Sequence, residues 1–205
     1  MIEVDSSGPV WTITLNRPEK ANALTAEMLC DLADAAEAAQ EAQAVILTGV
    51  GKVFSAGADL EAARAGLATS PDWERLSAAI AALPGLTIAA LNGTLAGGAT
   101  GMALACDLRI AVPQASFFYP VMKLGYLPQP SDPLRMCNLI GPSRTKLVFL
   151  AGQKLTAATA LDYGLIDEVV LKGSVYDRAT ALCADISGTD PAIARQIKSM
   201  CQPES

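Results

Sequence analysis

The sequence predicts an α/β fold arranged as one domain. Apolar runs of strand length recur along the chain, amphipathic helical segments separate them, and Gly, Pro and Asn punctuate the joints. The length of 205 residues suits one sizeable core and is long for one element and short for two full domains. With 51% hydrophobic and 18% charged residues, the chain can bury such a core and lies far from the composition of disorder.

Val10-Trp11-Thr12-Ile13-Thr14-Leu15 alternates in the manner of a strand and stops at the turn signal Asn16-Arg17-Pro18. Thr25 is placed to cap a helix that puts Met28, Leu29, Leu32, Ala36 and Ala39 on one face. Ala44-Val45-Ile46-Leu47 reads as a fully buried strand, ended by Thr48-Gly49-Val50-Gly51. A short helix is expected over 59–64, a mobile link over 66–71, and a helix over 71–83 broken by Pro84-Gly85. Leu86 to Leu91 is another buried strand, Asn92-Gly93 turns, and 97–105 forms a helix crowded with small residues. Strands follow at 108–112 and 116–118, and 121–150 is mainly helical with Pro and Gly breaks. A last strand at 166–170 and helices at 174–186 and 190–200 complete the pattern.

Several function classes are excluded by composition. No histidine is present, which removes the Ser-His-Asp arrangement, the commonest general base and most catalytic zinc sites, so no metal site is expected. Five cysteines stand singly without a C-x-x-C pair, a pattern of free thiols in a reducing cytoplasm. The net charge of −6 argues against a nucleic-acid partner. The apolar runs are too short for a membrane partner, and the N-terminus has no export signal.

Two segments carry the chemistry: Ser55-Ala56-Gly57-Ala58-Asp59-Leu60 and Asn92-Gly93-Thr94-Leu95-Ala96-Gly97-Gly98-Ala99-Thr100-Gly101. Each follows a buried strand and opens a helix, where backbone N–H groups are unpaired and small residues admit close approach. Two such starts aimed at one point would make a two-donor oxyanion hole. Either segment alone equally fits a tight turn with close-packed small residues. Neither matches the phosphate-binding G-x-x-x-x-G-K-[ST] or the dinucleotide G-x-G-x-x-G pattern.

Together with Leu15-Asn16-Arg17-Pro18 through Ala23-Leu24, Cys106-Asp107-Leu108-Arg109-Ile110-Ala111, Lys123-Leu124-Gly125 and Gly164-Leu165-Ile166-Asp167-Glu168-Val169-Val170, these segments strongly resemble the crotonase superfamily, or enoyl-CoA hydratase/isomerase family. The resemblance spans nearly the whole chain. It implies a spiral of ββα units with surrounding helices: one domain over 1–205, with the spiral core over about 1–188 and a short C-terminal helix and tail over 189–205. Members usually continue with further helices, so the resemblance also implies a truncated C-terminal region and a homo-oligomer, trimer or hexamer.

By the same resemblance, the backbone N–H groups of Ala58 and Gly98 would hold the carbonyl of an acyl-CoA thioester, with coenzyme A entering as part of the substrate and no cofactor bound covalently. Lys20, Ala21, Ala23, Ala56, Asp59 and Leu60 would border the coenzyme, and Arg17 and Lys20 are local cations for its phosphates. The two glutamates of family hydratases would fall at Gly101 and Val121, and neither residue moves protons. Asp132 is the best remaining carboxylate, with Tyr119, Lys123 and Arg135 nearby; as plain structure, Asp132 would cap or turn into the helix at Pro133. The lone Cys106 reads as a small buried hydrophobe. These departures disfavour ordinary hydration. They leave a lyase- or isomerase-class enzyme acting by enolate stabilisation, a decarboxylase or hydrolase, a non-catalytic acyl-CoA binding protein, or a degenerate subunit of a homologous complex.

Overall fold

The computed structural model describes residues 1–171 and 174–201; the last four residues of the expected tail lie outside them. The chain winds in successive turns: the first lays two strands in a large sheet, and the next three each lay one strand in the large sheet and one in a small sheet before helices close the turn. The first turn has β1 (Ile2–Asp5), β2 (Val10–Leu15) and α1 (Ala26–Ala38). The second has β3 (Ala44–Gly49), β4 (Val53–Ser55), α2 (Leu60–Arg64) and α3 (Asp72–Ala81). The third has β5 (Leu86–Leu91), β6 (Thr94–Ala96) and α4 (Thr100–Leu104), and the fourth has β7 (Leu108–Ala111), β8 (Ser116–Phe118), α5 (Val121–Leu124) and α6 (Asp132–Phe149). Then come β9 (Leu155–Thr156), α7 (Ala157–Tyr163), β10 (Glu168–Val169), α8 (Val175–Leu182), α9 (Ala184–Ser187) and α10 (Pro191–Met200).

The large sheet has the order β1-β2-β3-β5-β7-β10 and the small one β4-β6-β8-β9. All neighbours pair in parallel except β1 with β2 and β8 with β9. This is the expected α/β spiral of ββα units. The period-2 alternation of a strand explains why the central strands are apolar throughout. Val45, Leu47, Ala89 and Leu91 face one core, with α1, α3 and the small sheet. Ala44, Ile46, Ile88 and Ala90 face a second core, with Val175, Ala179 and Cys183 of the α8 region.

α1 forms as its sequence dictates: the Thr25 side chain accepts a bond from the Met28 N–H, and Met28, Leu29, Leu32, Ala33 and Ala36 are buried. Burying each of the larger side chains stabilises the fold by about 1.5–3 kcal/mol. The expected link over 66–71 is instead tied down. It forms a 3₁₀ turn at Leu67–Thr69, Leu67 is buried, and the Trp73 indole N–H donates to the Leu67 carbonyl at 2.7 Å. Serine and small residues gave no local sign of that tertiary bond. The expected strand over 166–170 has only Glu168–Val169 in strand geometry, because Arg109 and Asp167 take over the ladder just before it. β1, β4, β6 and β9 were not anticipated. At two to four residues, flanked by Gly or turn residues, they are too short to show a period of their own.

α6 bends where Gly141 adopts φ 78° and ψ 163° ahead of Pro142. Proline lacks an amide N–H and disfavours helical geometry in the preceding residue, so the chain restarts its helix there. No described helix is long and apolar enough to cross a membrane.

Candidate active site

Three neighbouring strand ends build the site. In the small sheet Ser55 pairs with Leu95, and Ala96 pairs with Phe118, all in parallel. The residues that leave β4, β6 and β8 therefore emerge side by side: Ala56-Gly57-Ala58, Gly97-Gly98 and Tyr119-Pro120. Ligands of open α/β sheets characteristically sit off such carboxyl ends.

The first of these loops is braced from below. Ser55 is fully buried; its hydroxyl donates to the Asn22 carbonyl and accepts from the Gly57 N–H. Asn22 is also fully buried: its side-chain oxygen accepts from the Arg17 N–H, and its amide donates to the Val50 and Val53 carbonyls. Leu24 and Ala58 form an isolated parallel bridge in which the Leu24 N–H donates to the Gly57 carbonyl and the Asp59 N–H to the Leu24 carbonyl. Gly57 has φ +88°, and a Cβ there would lie 2.9 Å from the Ala96 carbonyl oxygen. Only glycine combines that left-handed backbone with the close approach of the second loop.

Among the described residues, the hydrogen bonds that organise these loops leave the Ala58 and Gly98 N–H groups without a partner. Both residues line a cavity of about 390 Å³ whose other walls include Leu60, Trp73, Phe118, Tyr119, Val121 and Leu127. A Cβ on Gly98 would come 3.2 Å from the Trp73 ring, so the indole packs against the backbone there. A second, more polar cavity of about 760 Å³ is lined by Arg17, Lys20, Ala23, Ala56, Asp59 and Leu60 among others. Ala56, Ala58, Leu60 and Arg64 line both, so the two spaces meet at Ala58.

Of the residues singled out in the sequence, Lys20, Ala23, Ala56, Ala58, Asp59 and Leu60 are thus brought to one groove. Ala21 is not on its wall; it adopts φ 52° and its carbonyl accepts from the Ala56 N–H. Arg17 lines the groove with its Nη1 committed, donating to the Ala23 carbonyl at 2.8 Å and to Asp59 at 2.9 Å. That ion pair, with the Glu61 N–H bonded to the same carboxylate, holds the Asp59 carboxyl below the usual range. Lys20 and Arg64 line the groove with Arg17. Arg64 was missed as a functional candidate; its only sequence signal was a basic residue in the last turn of a helix opened by the first loop.

Val121 is buried and forms apolar cavity wall. Asp132 does not cap α6: the helix follows Ser131, whose hydroxyl and N–H both donate to Glu74. Asp132 is the first residue of α6, is 0% exposed, and lies behind the cavity wall. Its Oδ2 accepts a hydrogen bond from the Tyr119 hydroxyl at 2.9 Å, while its Oδ1 has no partner. A Cβ on Gly101 would sit 2.7 Å from that Oδ1. The carboxylate therefore fills the space that any side chain at 101 would need. Burial pushes the Asp132 carboxyl up to about 7, with Glu74 nearby acting in the same direction and Tyr119 and Arg135 opposing it. Burial, aided by the Asp132 charge, also drives the Tyr119 phenol well above its ordinary value, so the phenol keeps its proton. Burial likewise pushes the Cys106 thiol up to about 12, and its S–H donates to the Met102 carbonyl, an inert setting. Lys123 and Glu61 are exposed.

The enoyl-CoA hydratase/isomerase family model matches residues 5–204. YngF of Bacillus subtilis, whose name assigns it provisionally to the enoyl-CoA hydratases/isomerases, is 40% identical over 196 residues, covering 91% of this chain and 75% of YngF. Among solved structures, DspI of Pseudomonas aeruginosa superposes with a TM-score of 0.89 at 33% identity, covering 98% of this chain and 86% of DspI. The carnitinyl-CoA hydratase of Mycobacterium avium superposes with a TM-score of 0.86 at 35% identity, covering 100% of this chain and 81% of that one.

Proposed function

The chain belongs to the enoyl-CoA hydratase/isomerase family, and from that premise we propose that it binds an acyl-CoA thioester with the carbonyl held between the Ala58 and Gly98 N–H groups. The observation that carries this reading is the pair of unpartnered N–H groups on the apolar cavity, one of them, on Ala58, where that cavity meets the polar one. The acyl chain takes the apolar side, along Trp73, Phe118 and Leu127. The coenzyme takes the polar side, past Ala56, Asp59 and Leu60 toward Lys20 and Arg64. Charge that develops on the carbonyl oxygen as an enolate forms would be stabilised by about 2.7–4 kcal/mol per donor.

Hydration is a poor fit to this chain. It needs groups that deliver a water, and Gly101 and Val121 supply none. Asp132, joined to the cavity wall through the Tyr119 hydroxyl, is the carboxylate this reading offers to the reacting carbons. A non-catalytic acyl-CoA binding protein, or a subunit supporting a homologue, is the second reading. Val121, an apolar residue on the cavity wall, favours it. Coenzyme A enters as part of the substrate, and no resident cofactor is invoked. The five cysteines are free thiols, in keeping with a reducing cytoplasmic setting. Exposed Leu124, Tyr126, Leu127 and Leu134 cluster around the cavity mouth and the start of α6, and a second copy of the chain would cover them. Sedimentation at micromolar concentration should then give an oligomer, and a monomer would remove that part of the reading.

Isothermal calorimetry with butyryl-, octanoyl- and crotonyl-CoA tests the central claim. Micromolar binding is expected with at least one of them. No heat and no thermal shift with any would sink it. Crotonyl-CoA hydration should be negligible. Gly98→Pro removes one N–H donor and should abolish binding.

A further inference from the structure

We infer that the Tyr119 phenol is the catalytic group that moves the acyl α-proton in this site, with Asp132 as the positioning carboxylate that takes the phenol's own proton. The inference rests on the acyl-CoA reading above and goes beyond it by assigning the acid/base chemistry.

The register of the small sheet sets Tyr119 beside the reacting position. Phe118 pairs with Ala96, so Tyr119 and Gly97 are the next residues off adjacent strands about 4.8 Å apart. Tyr119 and Gln129 both line the apolar cavity together with Gly98. The Tyr119 hydroxyl donates to Asp132 at 2.9 Å and accepts the Gln129 N–H at 3.4 Å. At 3.4 Å the Gln129 contact is long, so it leaves the acceptor capacity of the phenolic oxygen largely unused. Asp132 itself is off the cavity wall and reaches the acyl chain only through this hydroxyl.

A purely structural Tyr–Asp pair accounts poorly for the second carboxylate oxygen. Asp132 Oδ1 is buried without a partner, an arrangement that costs stability and is uncommon away from functional sites. Gly101 keeps that oxygen from being crowded out. The carboxylate thus arrives from α6 in the space that the α4 position leaves vacant.

The step balances without another reactant. The α C–H bond breaks and its electron pair moves into the thioester, placing negative charge on the carbonyl oxygen at the Ala58 and Gly98 N–H groups. The proton goes to the Tyr119 oxygen as the Tyr119 O–H proton passes to Asp132 Oδ2. Reversal returns a proton to the same carbon or, in an unsaturated chain, to the γ-carbon with a shift of the double bond. The phenol keeps its proton at neutral pH, so it works as a base only while Asp132 is ionised. The charged groups that face Asp132 are Glu74 of α3 and Arg135 of its own helix, with the Tyr119 hydroxyl as the neutral partner.

The test is solvent-deuterium incorporation into butyryl-CoA and octanoyl-CoA in D₂O, followed by mass spectrometry, with binding measured calorimetrically on the same samples. The parent protein should exchange the α-proton at a rate that rises through about pH 7, where Asp132 ionises. Tyr119→Phe should lose at least about 100-fold in exchange rate. Asp132→Asn should lose the pH-dependent rise as well as rate, which loss of packing alone would not do. Should Tyr119→Phe fail to fold, the Asp132→Asn pH profile decides the matter. Binding without exchange in the parent, unchanged exchange in Tyr119→Phe, or an unchanged pH profile in Asp132→Asn overturns the proposal. Absence of thioester binding would instead remove the acyl-CoA reading beneath it.

Discussion

At the scale of single residues, Asp132 and Gly101 form one unit. Glycine to alanine inside a helix ordinarily gains about 1 kcal/mol of helix propensity. At Gly101 a Cβ would lie 2.7 Å from Asp132 Oδ1, and overpacking of this kind costs about 1–3 kcal/mol. Gly101→Ala should therefore destabilise the parent, yet be neutral or stabilising in an Asp132→Ala background, as read from urea unfolding. Asp132 also predicts a pH dependence of stability. Its carboxyl titrates near 7 in the fold against about 3.9 in an unfolded chain. The fold therefore binds the proton more tightly, and the stability gained from that is complete below about pH 4 and lost as pH rises through about 7. The loss is at most about 4 kcal/mol. Urea midpoints at about pH 5 and about pH 8 should differ in the parent by more than in Asp132→Asn; equal differences would remove this account.

At the scale of elements, two ties set where the loops sit. Asp59 caps α2 by accepting the Glu61 and Ala62 N–H groups, and it pairs with Arg17 from the turn after β2. α2 has no buried residue, so it has little else to hold it. Asp59→Ala should cost about 1 kcal/mol through the lost cap. The change should appear chiefly as faster amide exchange across α2. The second tie is Arg109, 4% exposed, whose guanidinium donates to the carbonyls of Ala103, Cys106, Asp107 and Leu165 and contacts Asp167. It closes the end of α4 and joins it to the turn after α7. Arg109→Met would leave several buried carbonyls unpaired at about 1–3 kcal/mol each. Arg109→Lys should fail to rescue stability, because an ammonium cannot span that fork of acceptors. Wild-type stability in Arg109→Lys would contradict the assignment.

At the scale of the whole molecule, the spiral's two sheets divide the labour. The large sheet separates two apolar cores, and the small sheet delivers three loops to one point. α10 stands apart from this logic, with no buried residue of its own. Lys198 fastens it by donating to the Gly85 carbonyl and pairing with Asp107, both at 2.7 Å, and Arg195 pairs with Glu41. Asp107 is in turn bonded to the N–H and hydroxyl of Thr87 on β5. The exposed Arg195–Glu41 pair weakens with salt, and the more buried Lys198–Asp107 pair does so less. Raising ionic strength, or Lys198→Met, should therefore speed proteolysis and amide exchange in α10 while leaving the global unfolding midpoint nearly unchanged. A large global loss would mean that α10 is part of the main cooperative unit.

The sequence by itself determined the α/β class, the buried central strands, the capped helix α1 and the family likeness of the two small-residue loops. Each is written locally, as a period of burial, a cap or a run of residues small enough for backbone contact. It also determined that positions 101 and 121 carry no ionisable side chain, since side-chain chemistry is legible without coordinates. Only the tertiary structure decided what stands in that place. Asp132 reaches Gly101 from another helix, and Tyr119 meets Asp132 because a three-residue strand ends beside Gly97. The same holds for Arg17, whose pairing with Asp59, 42 residues on, no local pattern announces. Such pairings depend on distance through space between segments far apart in the chain, and no periodicity or local motif records that distance.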